Sequence, residues 1–167
     1  LLANIYLHYV LDRWFDEEVR PRLRGYAYMV RFADDAVLGF SNEADARRVF
    51  EVLPKRFERF GLRLHPQKTR LVDLRKPRRD ETSPKGPGCA KRSFDFLGFT
   101  HYWARSRKGE WVIKRKTAGT RLARSIRALH EWCRDNRHRP LAEQQRALNR
   151  KLQGHCGYFG ITGNSRS

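Results

Sequence analysis

Two adjacent carboxylates, Asp34 and Asp35, are the residues of this sequence best placed to do chemistry. Runs rich in aromatic and β-branched residues flank them at 26–30 and 36–40, and each run predicts a strand. Because side chains alternate along a strand, the two acids are not expected to project in the same direction. We expect one carboxylate on a metal ion and the other beside it. Paired divalent ions held by carboxylates are a usual means of in-line displacement at phosphorus.

An ordinary Asp-Asp turn is the plain alternative for such a dipeptide. The charge of the whole chain bears on the choice, because 36 Lys and Arg stand against 18 Asp and Glu among 167 residues, a net charge of +18. An excess of this size indicates a polyanionic partner, most simply nucleic acid. The sequence has no apolar run of about 18 residues and predicts no membrane span.

The three cysteines form neither a CxxC pair nor an even framework, so they predict reduced thiols in a cytoplasmic protein. His130 and Cys133 have a spacing found in zinc pairs, but no second pair follows them, and zinc is not predicted.

Helices on both sides of the acid pair must position it. Apolar residues at spacings of three and four predict an amphipathic helix over 1–19, which Pro21 ends. A second helix is predicted after the hairpin, with Ser41 or Asn42 as its N-cap and Gly61 as its C-cap. Strands and helices in this order predict an α+β fold, an antiparallel sheet with helices on one face.

Lys68 follows a predicted turn at His65-Pro66 that joins two short predicted strands within 62–74. The simpler interpretation of Lys68 is an ordinary surface lysine. Residues 63–92 carry ten Lys and Arg against three acids, and the part from 75 onward predicts a loop rich in Pro, Gly and charge.

A second aromatic-dense segment covers 94–103 and is predicted to pair with 111–113 across a turn at 106–109. It is either a packed sheet edge or a platform for a nucleic acid strand. Residues 114–153 then carry twelve Lys and Arg against three acids and predict two helices with a basic outer face. The second helix begins at Pro140, and the glycine-rich tail from 154 predicts a loop. A domain boundary is placed near 114.

Taken in order, these segments resemble reverse transcriptases, and among them most closely the bacterial group II intron reverse transcriptase/maturase family. Residues 1–7 resemble the helix that follows the family's Pro-Gln-Gly motif, and Phe32-Ala-Asp-Asp35 resembles its Tyr-Ala-Asp-Asp box. Residues 61–69 resemble the next block, and Phe96-Leu-Gly-Phe99 resembles the primer-grip hairpin. The helices from about 117 resemble the start of the thumb, also called the maturase or X domain.

The resemblance implies a right-hand polymerase palm over 1–113, with its primer-grip hairpin, followed by the start of a helical thumb over 114–167. It implies that Asp34 holds catalytic metal, that Asp35 is its partner, and that Lys68 is the general acid to the leaving pyrophosphate. The primer grip would be Phe96, Leu97, Gly98 and Phe99, and the nucleic-acid contacts would include Arg115, Lys116, Arg121 and Arg124. The implied cofactor is Mg²⁺ in a two-metal site, and the implied partners are group II intron RNA, a template RNA–DNA primer duplex and dNTPs.

The sequence departs from the family pattern in several places. Phe32 stands where Tyr is common, and the fingers and the strand with the third catalytic carboxylate do not precede Asp34. Asp12 and Asp16 lie on a predicted helix and are interpreted as solvated surface. The 167 residues alone are therefore expected to be catalytically incompetent, although they are expected to belong to a parent protein that is active. The sequence does not predict the oligomeric state.

Three alternatives stay open. A non-enzymatic RNA-binding remnant of a maturase and a retron-type reverse transcriptase fit most of the pattern. A nucleotide cyclase also places acids on a hairpin, but the Phe-Leu-Gly-Phe motif and the basic helices disfavour it.

Overall fold

The computed structural model describes residues 2–77, 92–161 and 164, and the chain divides into two compact units, Leu1–Val72 and Asp73–Ser167. The first unit contains, in order, α1 (Leu2–Leu7), a π-helical stretch (His8–Val19), a 3₁₀ turn (Arg20–Arg22), β1 (Ala27–Phe32), β2 (Asp35–Phe40) and α2 (Glu43–Arg59). The second contains β3 (Ser93–Phe96), β4 (Phe99–Arg105), β5 (Trp111–Thr117), α3 (Gly119–Asn136) and α4 (Leu141–Phe159). The mixture of helices and antiparallel sheets is confirmed.

The predicted first helix is present, but most of it is π-helical, with the N–H of Arg20 donating to the carbonyl of Phe15. The wider turn changes which residues share a face. The predicted apolar stripe is buried at Val10 and Trp14, and Leu11 and Phe15 complete the buried face. Its other members are exposed: Tyr9, and Leu2, Ile5 and Tyr6, which lie in α1 before the π-helical stretch.

The predicted acid-bearing hairpin is confirmed, and its strands extend to the tip. Phe32 lies opposite Asp35, so Ala33 and Asp34 form a two-residue loop. Ala33 has a φ of 54°, a left-handed conformation at the first loop position, as in a type II′ turn. Such a turn matches the right-handed twist of the two strands.

Helix α2 begins and ends where the sequence predicts. The Asn42 side chain accepts a hydrogen bond from the N–H of Ala44 (2.9 Å). Gly61, at φ 69°, forms a Schellman cap, in which its N–H donates to Glu58 and the N–H of Leu62 donates to Phe57. The core of the unit is the cluster of Leu11, Trp14, Leu53 and Phe57, against which both helices and the hairpin pack.

The prediction of two strands within 62–74 is wrong, because the backbone is irregular there. The turn between them is confirmed, since the N–H groups of Lys68 and Thr69 both donate to the carbonyl of His65 (3.1 and 2.9 Å). Leu62 and Leu64 do alternate toward the core. A strand also needs a neighbour to complete its ladder, and no described strand pairs with this segment.

The second unit has a three-stranded antiparallel sheet in the order β3-β4-β5. The predicted turn at 106–109 joins β4 to β5, and Arg105 lies opposite Trp111. The segment 94–103 was predicted as one side of a hairpin, and this is corrected: the chain reverses at Leu97-Gly98, with Phe96 opposite Phe99.

The two predicted C-terminal helices are confirmed, with Pro140 as the N-cap of α4. The loop predicted from 154 is wrong over its first part, because α4 continues to Phe159 through two glycines. Each glycine costs a helix about 1 kcal/mol relative to alanine. The packing of the last aromatic residues of α4 against the sheet, described below, offsets that cost.

The predicted boundary near 114 lies inside β5, and the division into palm and thumb stays a prediction. Most of the loop predicted over 75–92, with Cys89, lies outside the described residues, as does Gly163. In the ranges that the structure covers, no helix has the length and apolar character to cross a bilayer.

Candidate functional site

The acid pair lies open at the tip of the first hairpin. Asp34 occupies the second position of the two-residue loop and Asp35 is the first residue of β2, and both are exposed. No hydrogen bond or ion pair joins either carboxylate to another residue in the described part of the chain. Carboxylate oxygens are the hard ligands that Mg²⁺ and Mn²⁺ prefer, so the pair is chemically suited to a divalent cation.

The backbone of this tip, by contrast, is held by Arg31. Its guanidinium donates to both carboxylate oxygens of Asp12 (2.7 and 2.6 Å) and to the carbonyl of Ala33 (2.7 Å). The side chains of Arg31 and Asp12 are only 14% and 20% exposed. The hydrogen bond from Arg31 lowers the pKa of Asp12, and the same bond raises the pKa of Arg31.

Asp12 was predicted to be solvated surface, and the structure corrects this. Sequence reasoning missed the pair because Asp12 and Arg31 are 19 residues apart and no local pattern joins a helix residue to a strand residue. Alternation along β1 does place Arg31 on the same face as Met29, which packs against the core, so its direction could have been read from the strand.

The other face of the hairpin is open. Tyr28, Val30 and Phe32 are 47–65% exposed along it, and Asp35 lies opposite Phe32 on this same face. The ring of Tyr28 covers Gly39 so closely that a Cβ added there would clash with the ring. The first unit therefore presents an apolar sheet face that leads to the carboxylate of Asp35.

Lys68 lies in the turn that follows α2 and is exposed. It was expected at the start of a strand, and that setting is corrected. No hydrogen bond or ion pair between Lys68 and either acid occurs within the described residues. The structure therefore places all three predicted catalytic residues at exposed positions of one unit without joining the lysine to the acids.

The tip of the second hairpin is bound by other residues of its own unit. Leu97 and Gly98 both have positive φ (51° and 79°), as in a type I′ turn. The carbonyl of Leu97 accepts from the hydroxyl of Tyr158 (2.9 Å), and that of Gly98 accepts from the N–H of Ala118 (2.9 Å). A Cβ added at Gly98 would lie 3.4 Å from the ring of Phe159, so α4 approaches this backbone closely.

The aromatic side chains of the second sheet are largely used for packing. The ring of Phe99 stacks on Tyr158 at 5.8 Å and meets Phe159 edge-on at 5.3 Å. Farther along the sheet, Phe94 stacks on His101 at 4.8 Å. Burial lowers the pKa of His101, with a smaller contribution from the charge of Arg115 across the strand. An open aromatic platform was one expectation, and the packed alternative describes these rings better.

The four predicted nucleic-acid contacts, Arg115, Lys116, Arg121 and Arg124, are all exposed. Arg115 lies opposite His101 and Lys116 opposite Thr100, so these two point to opposite faces of the sheet. Arg121 and Arg124 are one turn apart on α3 and share a face. The Nζ of Lys116 lies 5.2 Å from the ring centroid of Tyr102, where the cation is attracted to the π-system.

A search of the described ranges finds no cluster of three or more His, Cys, Asp or Glu that could hold a metal ion. The donors at the tip of the first hairpin are thus the two carboxylates of Asp34 and Asp35. Two carboxylates with water completing the shell are a common protein contribution to a Mg²⁺ site.

Comparison with known families gives a match over more than half of the chain. Residues 1–101 match the family model described as reverse transcriptase (RNA-dependent DNA polymerase). The matched region includes the acid hairpin, Lys68 and the Phe96–Phe99 turn. No curated protein matches the chain.

Proposed function

The chain belongs to the reverse transcriptase family, and from this premise we propose that it forms part of the RNA-directed DNA polymerase and maturase of a group II intron. One observation carries the polymerase proposal. The exposed acids Asp34 and Asp35, which bond to no other described residue, lie on a tip whose backbone is fixed, inside the matched region. A metal-binding tip needs these two properties together, open ligands and a rigid support.

In this proposal Asp34 and Asp35 hold Mg²⁺ through their carboxylate oxygens. When bound, the ions stabilise the attacking and leaving oxygens of nucleotidyl transfer. Lys68 donates a proton to the departing pyrophosphate, and its exposed position on a turn leaves the ammonium free to reach a substrate. The apolar face that ends at Asp35 provides a surface against which a substrate strand can rest.

The second unit supplies the primer grip and the start of the thumb. Two hydrogen bonds to its backbone carbonyls fix the Phe96–Phe99 turn, one from the Tyr158 hydroxyl and one from the N–H of Ala118, and the aromatic residues of α4 pack against it. The primer-grip turn and helix α4 are therefore joined, and they contact the template–primer duplex together. The exposed guanidinium groups of Arg121 and Arg124 contact phosphates from α3.

The maturase part of the proposal rests on the family resemblance and on the basic character of 114–153, where twelve Lys and Arg stand against three acids. We expect tighter binding of the chain to a group II intron RNA than to an unrelated folded RNA of equal length, with affinity falling steeply as salt rises. Filter binding at several salt concentrations measures both. Equal affinity for the two RNAs would remove the maturase assignment and leave the family assignment intact.

Primer extension tests the catalytic proposal. On an RNA template with a DNA primer in Mg²⁺, the 167-residue chain alone is expected to give no measurable product, because the described residues bring no third metal ligand to Asp34 and Asp35. Extension that disappears in the Asp34→Ala, Asp35→Ala double variant would confirm the role of the acids and show that the isolated chain is competent after all.

The alternative of a different class is a non-enzymatic RNA-binding module. The packing of Phe99 on Tyr158 and Phe159 favours it, since a ring face that another ring of the chain covers is not free to stack on a base. If the double acid variant binds RNA as tightly as the native chain and neither protein binds divalent metal, this alternative is preferred.

A further inference from the structure

The turn that carries Asp34 has an unfavourable backbone. Ala33 adopts a φ of 54°, a region in which glycine is at ease and alanine is strained. A two-residue loop with exposed side chains has few contacts of its own to hold that conformation. The position of the acids therefore depends on whatever fixes the Ala33 peptide.

Arg31 is the described side chain that reaches this peptide. One guanidinium nitrogen, Nη1, donates to the carbonyl of Ala33 at 2.7 Å, and also approaches the Oδ1 of Asn4 at 3.3 Å. The other two nitrogens, Nε and Nη2, engage the two oxygens of Asp12. All three nitrogens of the planar group are thus in use, a pattern that the single ammonium of lysine cannot reproduce.

Asp12 gives this arrangement a firm base. It lies in the π-helical stretch next to Leu11, a member of the core cluster that is only 4% exposed. The Nδ1 of His8 lies 3.3 Å from the Oδ2 of Asp12 and adds a further contact. A continuous series of contacts therefore runs from the core helix through Asp12 and Arg31 to the Ala33 carbonyl, beside Asp34.

We propose that Arg31 is a positioning residue for the metal-binding acids, holding the Ala33–Asp34 turn in place while Asp12 orients its guanidinium. The proposal rests on the proposed function for its metal. Its structural half, that Arg31 holds the turn, can be measured without any metal.

The decisive variant is Arg31→Lys, which keeps the charge and removes the fork. In uniformly ¹⁵N-labelled chain, we expect the heteronuclear NOE of the Ala33 and Asp34 amides to fall to the level of a mobile loop, with the strand amides of β1 and β2 unchanged. The matched control is Arg47→Lys. Arg47 also donates two hydrogen bonds to an acid of the same unit, Glu43, but both partners are at least half exposed and both lie on α2, outside the hairpin.

A Mn²⁺ titration of the same samples connects the turn to the metal. Paramagnetic broadening of the Asp34 and Asp35 amides should require roughly tenfold more Mn²⁺ in Arg31→Lys than in the native chain, the size expected when one charged hydrogen bond no longer orders the site. Arg47→Lys should titrate as the native chain does. A merely structural ion pair would lower the unfolding midpoint and leave these local signals of the folded protein unmoved.

A folded Arg31→Lys with native NOE values at Ala33 and Asp34 overturns the proposal. Where that variant does not fold, Asp12→Asn takes its place, because it keeps Arg31 and weakens the support, and an unchanged tip in that variant is equally contradictory. If the tip loosens in the variants but the native chain shows no Mn²⁺ broadening there, the proposed metal function fails while the hold on the turn is established.

Discussion

The two hairpins of this chain have similar two-residue turns, but different contacts hold those turns in place. Each reverses in a two-residue turn, and each places a residue other than glycine at positive φ, Ala33 in the first and Leu97 in the second. In the first, a side chain from the adjoining strand binds the turn carbonyl and the acids stay open. In the second, Tyr158 and Ala118, which lie far along the sequence, bind the turn carbonyls, and aromatic rings pack against the tip.

The same two-residue hairpin turn can therefore present side chains to a ligand or pack within its own unit. A turn whose carbonyl is bound by a side chain of the adjoining strand can leave its own side chains open to a ligand. A turn that is fixed by a distant helix becomes part of that helix's packing, and it moves with the helix. We therefore expect loss of the ring beside the first tip, Phe32, to cost little stability, and loss of the ring beside the second, Phe99, to cost more.

The largest expected contrast is between the phenylalanines beside the two turns. Phe99→Ala removes a ring that contacts both Tyr158 and Phe159 and should lower the free energy of unfolding by about 2–4 kcal/mol. Phe32→Ala, at a position that is 65% exposed, should cost at most about 0.5 kcal/mol. Urea unfolding of both variants measures the difference. Equal losses would remove the distinction between an open tip and a packed one.

Substitutions that exchange alanine and glycine at the turns should change stability in opposite directions. Gly98→Ala forces a Cβ into φ 79° and toward the Phe159 ring and should cost about 1–2 kcal/mol. Ala33→Gly relieves strain at φ 54° and should stabilise by up to about 1 kcal/mol. Thermal unfolding of the two variants checks the signs. A destabilised Ala33→Gly would show that the backbone of Ala33 carries no strain that glycine can relieve.

The hydroxyl of Tyr158 should contribute less. Tyr158→Phe keeps the ring stacked on Phe99 and removes one hydrogen bond to Leu97, a loss of about 1 kcal/mol. Tyr26→Phe is the control, since Tyr26 is 71% exposed in the first hairpin region and should be neutral. Hydrogen exchange at the 97–99 amides should quicken in Tyr158→Phe alone. Unchanged exchange would mean that the rings hold the turn without the hydroxyl.

The smallest effect concerns pH and the support of the first tip. Because Arg31 lowers the pKa of folded Asp12 below its ordinary 3.8, the unfolded state binds more protons as the medium is acidified. The stabilisation from this pair is therefore fully present above pH 3.8 and is lost as pH falls through the lower folded value. The stability gap between native chain and Asp12→Asn should be smaller at pH 3 than at pH 6, by denaturant unfolding. A gap that is equal at both would contradict the assigned cause.

Features set by neighbouring residues could be read from the sequence. The acid hairpin follows from alternation and two polar residues between apolar runs, and the caps of α2 follow from Asn42 and Gly61. The two C-terminal helices followed from apolar spacing and from Pro140. In each case the determinant lies within a few residues of the structure it determines.

Features that depend on contacts between residues far apart in the chain could not be predicted from the sequence. Residues 62–74 have the pattern of strands but no described partner, and α4 passes through Gly154 and Gly157 because Tyr158 and Phe159 pack on the second sheet. The site shows the same division. The sequence predicts Asp34 and Asp35 from their context and Lys68 from the family resemblance, and their catalytic roles stay predictions. The bond between Arg31 and Asp12 joins residues that are 19 positions apart, and no local pattern predicts it.

The central claim is that Asp34 and Asp35 bind a divalent metal at an open, fixed tip. The most direct test is Mn²⁺ binding by the 167-residue chain, followed by the loss of the free-ion EPR signal. The native chain should bind Mn²⁺, and Asp34→Asn, Asp35→Asn should abolish that binding. The control variant Glu17→Gln, Glu18→Gln, which neutralises another adjacent pair of exposed acids in the same unit, should bind as the native chain does. Binding that survives in the first variant, or is lost equally in both, would contradict the claim.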